Sequence, residues 1–106
     1  MNEFRVLVIG ENCEAQMKGQ TQMISSFQKS NWLFDGALER EDLSQNEVVN
    51  AILANPKLIP EAVIDNGKWF NAEKLGQNPE SWKKTLESIL TSSGNQSISC
   101  FTCQKA

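Results

Sequence analysis

Read from the N-terminus, the apolar positions change period several times, and each change marks an element. Phe4-Arg5-Val6-Leu7-Val8-Ile9 is apolar and β-branched nearly throughout and ends at Gly10, the pattern of a central strand covered on both faces. Residues 11–17 then predict a short helix, with Asn12 as N-cap, acidic residues in the first turn and Gly19 as the stop. From residue 20 to 42 the pattern weakens. Met23, Ile24, Phe27, Trp32, Leu33, Phe34 and Leu38 are scattered among polar residues, which reads as irregular structure or a short helix laid over a sheet. A loop of that length in a compact domain is either functional or hides an element.

The period returns at Ser44. Ser44-Gln45-Asn46-Glu47 fits a capping box, in which hydroxyl and carboxylate each satisfy an end-of-helix amide, and Val48, Val49, Ile52 and Leu53 follow at helical spacing up to Asn55-Pro56. Glu61-Ala62-Val63-Ile64 leads through Asp65-Asn66-Gly67-Lys68 to Trp69-Phe70, and Asn-Gly between two β-prone runs predicts a hairpin. Asn78-Pro79-Glu80 caps a further helix whose Trp82, Leu86, Ile89 and Leu90 share one face until Gly94. The alternation from Ser97 to Cys103 predicts a closing strand. This order predicts an α+β fold: a small, mainly antiparallel sheet with two or three helices packed on one face, close to a ferredoxin-like βαββαβ plan. With no repeat, low-complexity tract or linker, residues 1–106 read as a single domain.

Composition narrows the function classes. The 40% hydrophobic content suffices for one modest core. Ten Lys and Arg against thirteen Asp and Glu give a net charge of −3, without the basic excess of a nucleic-acid-binding surface. The apolar run Val6 to Ile9 is much shorter than a signal or membrane-spanning segment. The expectation is a cytoplasmic protein without a direct nucleic-acid or membrane partner.

The protein has no histidine and no tyrosine, which removes the usual general base, proton shuttle and metal ligand. Cys13, Cys100 and Cys103 are an odd number at low density, unlike a disulfide framework. Cys100 and Cys103 match CxxC spacing, but three apart on a strand they point to opposite faces, and only Cys13 remains as a further thiol ligand. They read as packing residues. Val8-Ile9-Gly10-Glu11-Asn12 lacks the further glycines of a dinucleotide turn. No catalytic, cofactor or metal residue is therefore assigned. One alternative is a small metal-dependent enzyme or nucleotide-binding domain that places Glu11, Glu14 or Asp65 around a divalent ion, although first-turn carboxylates commonly just complement the helix dipole. Another is a structural subunit of a larger assembly.

Candidate binding residues are clearer. Asp35, Glu39, Glu41 and Asp42, with Glu47 following and only Arg40 intervening, form an acidic segment suited to a basic protein surface, or else a solvated loop. Trp32, Phe34, Trp69 and Phe70 fall in loop-like or hairpin segments, and tryptophan is enriched at interface centres. Neighbours on a strand face opposite ways, so at least one of Trp69 and Phe70 packs inward and the other is an anchor candidate. Trp82 reads as core.

The segment Val8 to Gln16, then Gly67-Lys68-Trp69-Phe70 with Gly76, the helix of Trp82 and the closing strand Ile98 to Cys103 resemble small uncharacterised bacteriophage proteins. Those proteins open with a Val-Ile-Gly-Asp/Glu-Asn strand and an acidic helix start. The likeness touches both ends and is thin in the middle. In that group a histidine often follows the tryptophan where this protein has Phe70, so no histidine-dependent activity carries over. The resemblance implies a phage origin and an accessory role. The expectation is a protein that binds and inhibits a host protein or protein–nucleic acid complex, such as a CRISPR effector, through Trp32, Asp35, Glu39, Glu41, Asp42, Trp69 and Phe70.

Overall fold

The computed structural model describes residues 3–30, 32–34, 43–94 and 96–106. Its centre is β1 (Glu3–Ile9), followed by α1 (Cys13–Lys18), β2 (Ile24–Lys29), α2 (Gln45–Ala54), β3 (Ala62–Asp65), β4 (Lys68–Asn71), α3 (Pro79–Ser92) and β5 (Ile98–Lys105), with 3₁₀ turns at Trp32–Phe34 and Pro56–Leu58. The strands form one mixed sheet in the order β2-β5-β1-β3-β4. Three of the four pairings are antiparallel, and β1 runs parallel to β3 from Val6↔Ala62 to Ile9↔Asp65. The α+β expectation holds. The ferredoxin-like plan does not describe the sheet, because that plan inserts a strand between the two parallel strands of its βαβ unit, whereas β1 and β3 are direct neighbours.

Period-two alternation divides the side chains of β1 between two cores. Leu7 and Ile9 join Val63, Ile98 and Cys100 under α2 and α3, which contribute Val48, Ile52, Trp82, Leu86 and Leu90. Val6 and Val8 join Ile64, Trp69, Phe101 and Cys103 on the opposite face, with Met17 of α1. So α2 and α3 share one face while α1 lies on the other. Both long helices begin as their sequences specify. Ser44 Oγ accepts from Glu47 N (3.2 Å) while Ser44 N donates to Glu47 Oε2 (3.0 Å), and Asn78 Oδ1 accepts from Ser81 N (2.8 Å) ahead of Pro79. Trp82 is buried with its indole N–H donating to the Pro60 carbonyl (2.9 Å), so its polar atom carries no desolvation penalty.

Two local expectations change, and a third is met in detail. Asn12 precedes α1 in the left-handed conformation (φ 53°) and its carboxamide makes no capping bond. Only its carbonyl serves the helix, accepting from Gln16 N (3.1 Å). The stretch read as irregular contains β2, an edge strand paired to β5 with a register shift between Ile24 and Ser26. An edge strand needs no alternating apolar set, and a bulge there discourages pairing with other proteins. At the hairpin, Asn66 (φ 50°) and Gly67 (φ 90°) both have positive φ, as a tight turn of matching twist requires.

Leu86 is fully buried and Leu53, on the outer side of α2, is 49% exposed. Leu86→Ala is expected to lower unfolding free energy by about 2–5 kcal/mol through lost transfer energy and a residual cavity. Leu53→Ala should change it by no more than about 0.5 kcal/mol. Urea denaturation of the two variants checks both values.

Candidate functional site

The outer edge of β5 is paired in two separated stretches. β2 pairs with β5 as far as Lys29↔Phe101, and Ser30 N then donates to the Cys100 carbonyl (3.1 Å). The next contact along that edge comes from Leu43, whose N–H donates to the Ile98 carbonyl (3.1 Å). Only Ser99 separates the two acceptors on β5, whereas residues 31–42 lie between the two donors. Described backbone on either side of that stretch is thus fixed at neighbouring points of one strand. The predicted site residues Asp35, Glu39, Glu41 and Asp42 lie outside the described residues. Their charge is nonetheless informative, because these four carboxylates and Arg40 sum to the whole net charge of −3, leaving the rest of the protein balanced. Glu47, which the sequence places next to this segment, is engaged in the capping box of α2.

Trp32 follows the Ser30 anchor by two residues. Its indole N–H donates to the Phe101 carbonyl (3.1 Å), and the Arg5 guanidinium lies 5.1 Å from its ring centroid. Arg5 is itself fixed: Nη2 donates to the Ile59 carbonyl (3.0 Å) and Nε lies 3.5 Å from Glu61 Oε2, which also accepts from Arg5 N (2.6 Å). Glu61 is half exposed, so the ion pair contributes little energy. Its role is positional, holding the guanidinium beneath a half-buried indole. Trp69 is 9% exposed and packs edge-on against Phe4 (centroids 6.1 Å apart), while Phe70 is half-buried against the α2–α3 layer. Both rings of the hairpin pair therefore pack on a core, one on each face. Trp32 is the predicted site aromatic that lies next to the acidic segment in sequence and whose own contacts are described.

At the far end of β1 and β3 lies a polar pocket of about 570 Å³ lined by Gly10, Glu11, Gln16, Asn66, Gly67, Gln96 and Ser97. Three carboxamides from distant parts of the sequence meet there. Gln16 Nε2 donates to the carbonyls of Ile9 (3.1 Å) and Glu11 (2.9 Å), and Gln16 Oε1 accepts from Gly67 N (3.0 Å). Asn66 Nδ2 donates to Asp65 Oδ1 (2.8 Å) and to Gln96 Oε1 (2.9 Å). Gly10 (φ 112°) makes this possible, since a Cβ there would meet Asn66 Oδ1 at 2.5 Å. Glu11 and Glu14, the carboxylates read as cation-binding candidates, are both exposed. Among the described residues no three His, Cys, Asp or Glu residues converge to hold a metal. Sequence reasoning missed this clasp because amides at positions 16, 66 and 96 carry no periodic signal.

A second concavity of about 750 Å³ runs past Phe4, Met23, Pro60, Trp69, Ala72 and Trp82 at the opposite end of β3. It is more apolar, and its aromatic walls belong to the two cores. The cysteines divide as their spacing requires: Cys100 packs under the helices and Cys103 on the other face. Burial pushes both thiols up to about 12, opposed at Cys100 by the Leu33 backbone and Lys29.

Comparison with protein families, curated proteins and solved structures finds no match in any of the three. The described residues define an α+β domain with two backbone anchors on β5, at Ser30 and Leu43, and one polar clasp. Among the described residues, no helix is long and apolar enough to cross a membrane.

The thiols supply a test of this geometry. At about pH 8 a thiol reagent should label half-buried Cys13 in the folded protein, and Cys100 and Cys103 only after unfolding, because the reactive species is the thiolate. The folded state retains those two protons to higher pH than the unfolded state does. Stability should therefore fall as pH rises from the ordinary thiol range toward about 12, measurable as a declining urea midpoint.

Proposed function

We propose that this protein is a non-enzymatic binding module that docks on a basic protein surface through the acidic segment 35–42, with Trp32 beside it. The carrying observation is the pair of anchors at Ser30 and Leu43, which tether the stretch bearing the entire net charge to neighbouring points of β5. Binding segments on loops held by a rigid scaffold are a recurrent solution, because the scaffold limits the conformational freedom lost on association. Concentrated negative charge steers encounter with a positive surface and fixes orientation more than it adds affinity. Trp32 supplies an aromatic group of the type that dominates interface energetics, already held by Phe101 and Arg5.

The resemblance to phage accessory proteins fits this reading. A host nuclease complex that handles nucleic acid presents basic surface, and an acidic segment competes for it as phosphate does. The partner class is accordingly a host defence or nucleic-acid-processing protein complex, and the role is inhibition.

Affinity capture from a bacterial lysate, run at low and high salt with mass-spectrometric identification, tests the reading when paired with the triple variant Glu39→Lys, Glu41→Lys, Asp42→Lys. A stoichiometric partner held by the native protein should weaken with salt, and the variant should associate at least about tenfold more slowly while melting at the native temperature. Capture of the same partner with unchanged rate by the variant would remove the acidic segment from the interface and overturn the proposal.

A further inference from the structure

The tip of the β3–β4 hairpin carries the one Asn-Gly dipeptide in the protein, Asn66-Gly67. Asparagine before glycine is the dipeptide most prone to spontaneous deamidation, since glycine offers no Cβ to obstruct ring closure. The Gly67 backbone nitrogen, losing its proton, attacks Asn66 Cγ. A bond forms between that nitrogen and Cγ, the bond from Cγ to Nδ2 breaks, and ammonia leaves with the proton. Water then opens the succinimide at either carbonyl to give aspartate or isoaspartate, so the net change is amide plus water to acid plus ammonia. Neither an oxidant nor an enzyme is needed.

We infer that Asn66 is a latent deamidation site and that the Gln16–Gln96 clasp restrains it. Both reacting groups are held. The nucleophile, Gly67 N, keeps its proton directed at Gln16 Oε1 (3.0 Å). The leaving amide, Asn66 Nδ2, is bound to both Asp65 Oδ1 (2.8 Å) and Gln96 Oε1 (2.9 Å). The backbone is held as well: Asn66 N donates to the Ile9 carbonyl (3.0 Å), and Gln20 Nε2 donates to the Gly67 carbonyl (3.0 Å). Attack requires the peptide plane between residues 66 and 67 to rotate toward Cγ, and that rotation breaks the Gln16 bond and strains the paired turn. Asn66 and Gly67 are exposed, so water for the hydrolytic step is at hand and restraint falls to geometry alone.

Reaction would also weaken the clasp itself. A carboxylate at position 66 loses both Nδ2 donations and sits beside Asp65 and near Glu11, so the clasp it leaves behind is repulsive. Gly10, α1 and the strand entry at Ser97 all meet at that point. The unmodified and modified proteins are thus two states with different integrity at the end of β1.

Peptide mapping during incubation at mildly alkaline pH tests the inference, with the native protein in folded and urea-unfolded form and the variants Gln16→Leu and Gln96→Ala. The expected result is slow conversion at Asn66 in the folded native protein and conversion several-fold faster in urea. Gln16→Leu should accelerate conversion several-fold at Asn66 and at no other asparagine. Gln96→Ala, which removes one of the two acceptors of the leaving amide without touching α1, should give a smaller acceleration. Circular dichroism establishes that each variant is folded, and amide exchange at Gly67 reports loss of its acceptor independently of chemistry. Equal rates in folded and unfolded native protein would overturn the restraint, as would folded Gln16→Leu with an exposed Gly67 amide and a native rate.

Discussion

Val6, Leu7, Val8 and Ile9 are wholly removed from solvent, two toward each face of the sheet, and such a strand must be paired along both edges and covered on both faces together. Pairing comes from β5 and β3. The helices α2 and α3 cover one face, and the other face is closed by α1 with a lining of aromatic rings, including Phe27 edge-on to Phe101 at 5.8 Å. Both requirements are met by carrying β3 parallel to β1, with α1, β2 and α2 interposed between them, and by bringing β5 back antiparallel on the other side. Topology and layer assignment follow from the burial demanded by these four residues.

Consequences for function appear where that demand ends. At the carboxyl end of β1, Ile9 is the last buried apolar residue of the strand, and its carbonyl accepts from both Asn66 N and Gln16 Nε2. The polar clasp continues the sheet by other means, substituting carboxamides for strand neighbours beyond the hairpin tip. The edge strand β2 carries no such burial, and the pairing it makes along β5 stops after Ser30 and resumes at Leu43. A buried central strand could not accommodate an insertion of that kind, because a slip of one residue would turn its apolar set to the wrong face.

How much of this the sequence reveals depends on whether a residue acts through period or through contact. β1, α2, the hairpin, α3 and β5 are legible because each repeats an apolar or capping signal locally: Ser44 with Glu47, Asn66 with Gly67, Asn78 with Pro79. The opposite facing of Cys100 and Cys103 is legible for the same reason. β2 is not, since Ile24-Ser25-Ser26-Phe27-Gln28-Lys29 buries only Ile24 fully and half-buries Phe27, too few apolar positions to show alternation. Asn12 illustrates the opposite error: the residue type suits a cap, but the same type also tolerates the left-handed conformation that the turn out of β1 imposes. The clasp is invisible in sequence because Gln16, Asn66 and Gln96 become partners only through tertiary structure.

Both surfaces converge on the first residues of β5. The Ser97 carbonyl accepts from Gly10 N (2.9 Å) on the clasp side, and the next carbonyl, that of Ile98, accepts from Leu43 N on the outer edge of β5. Ile98 is itself fully buried among the α2–α3 contacts, so this junction is held by packing as well as by hydrogen bonds. The Leu43 anchor thus rests on a strand entry that the clasp also secures, one residue away.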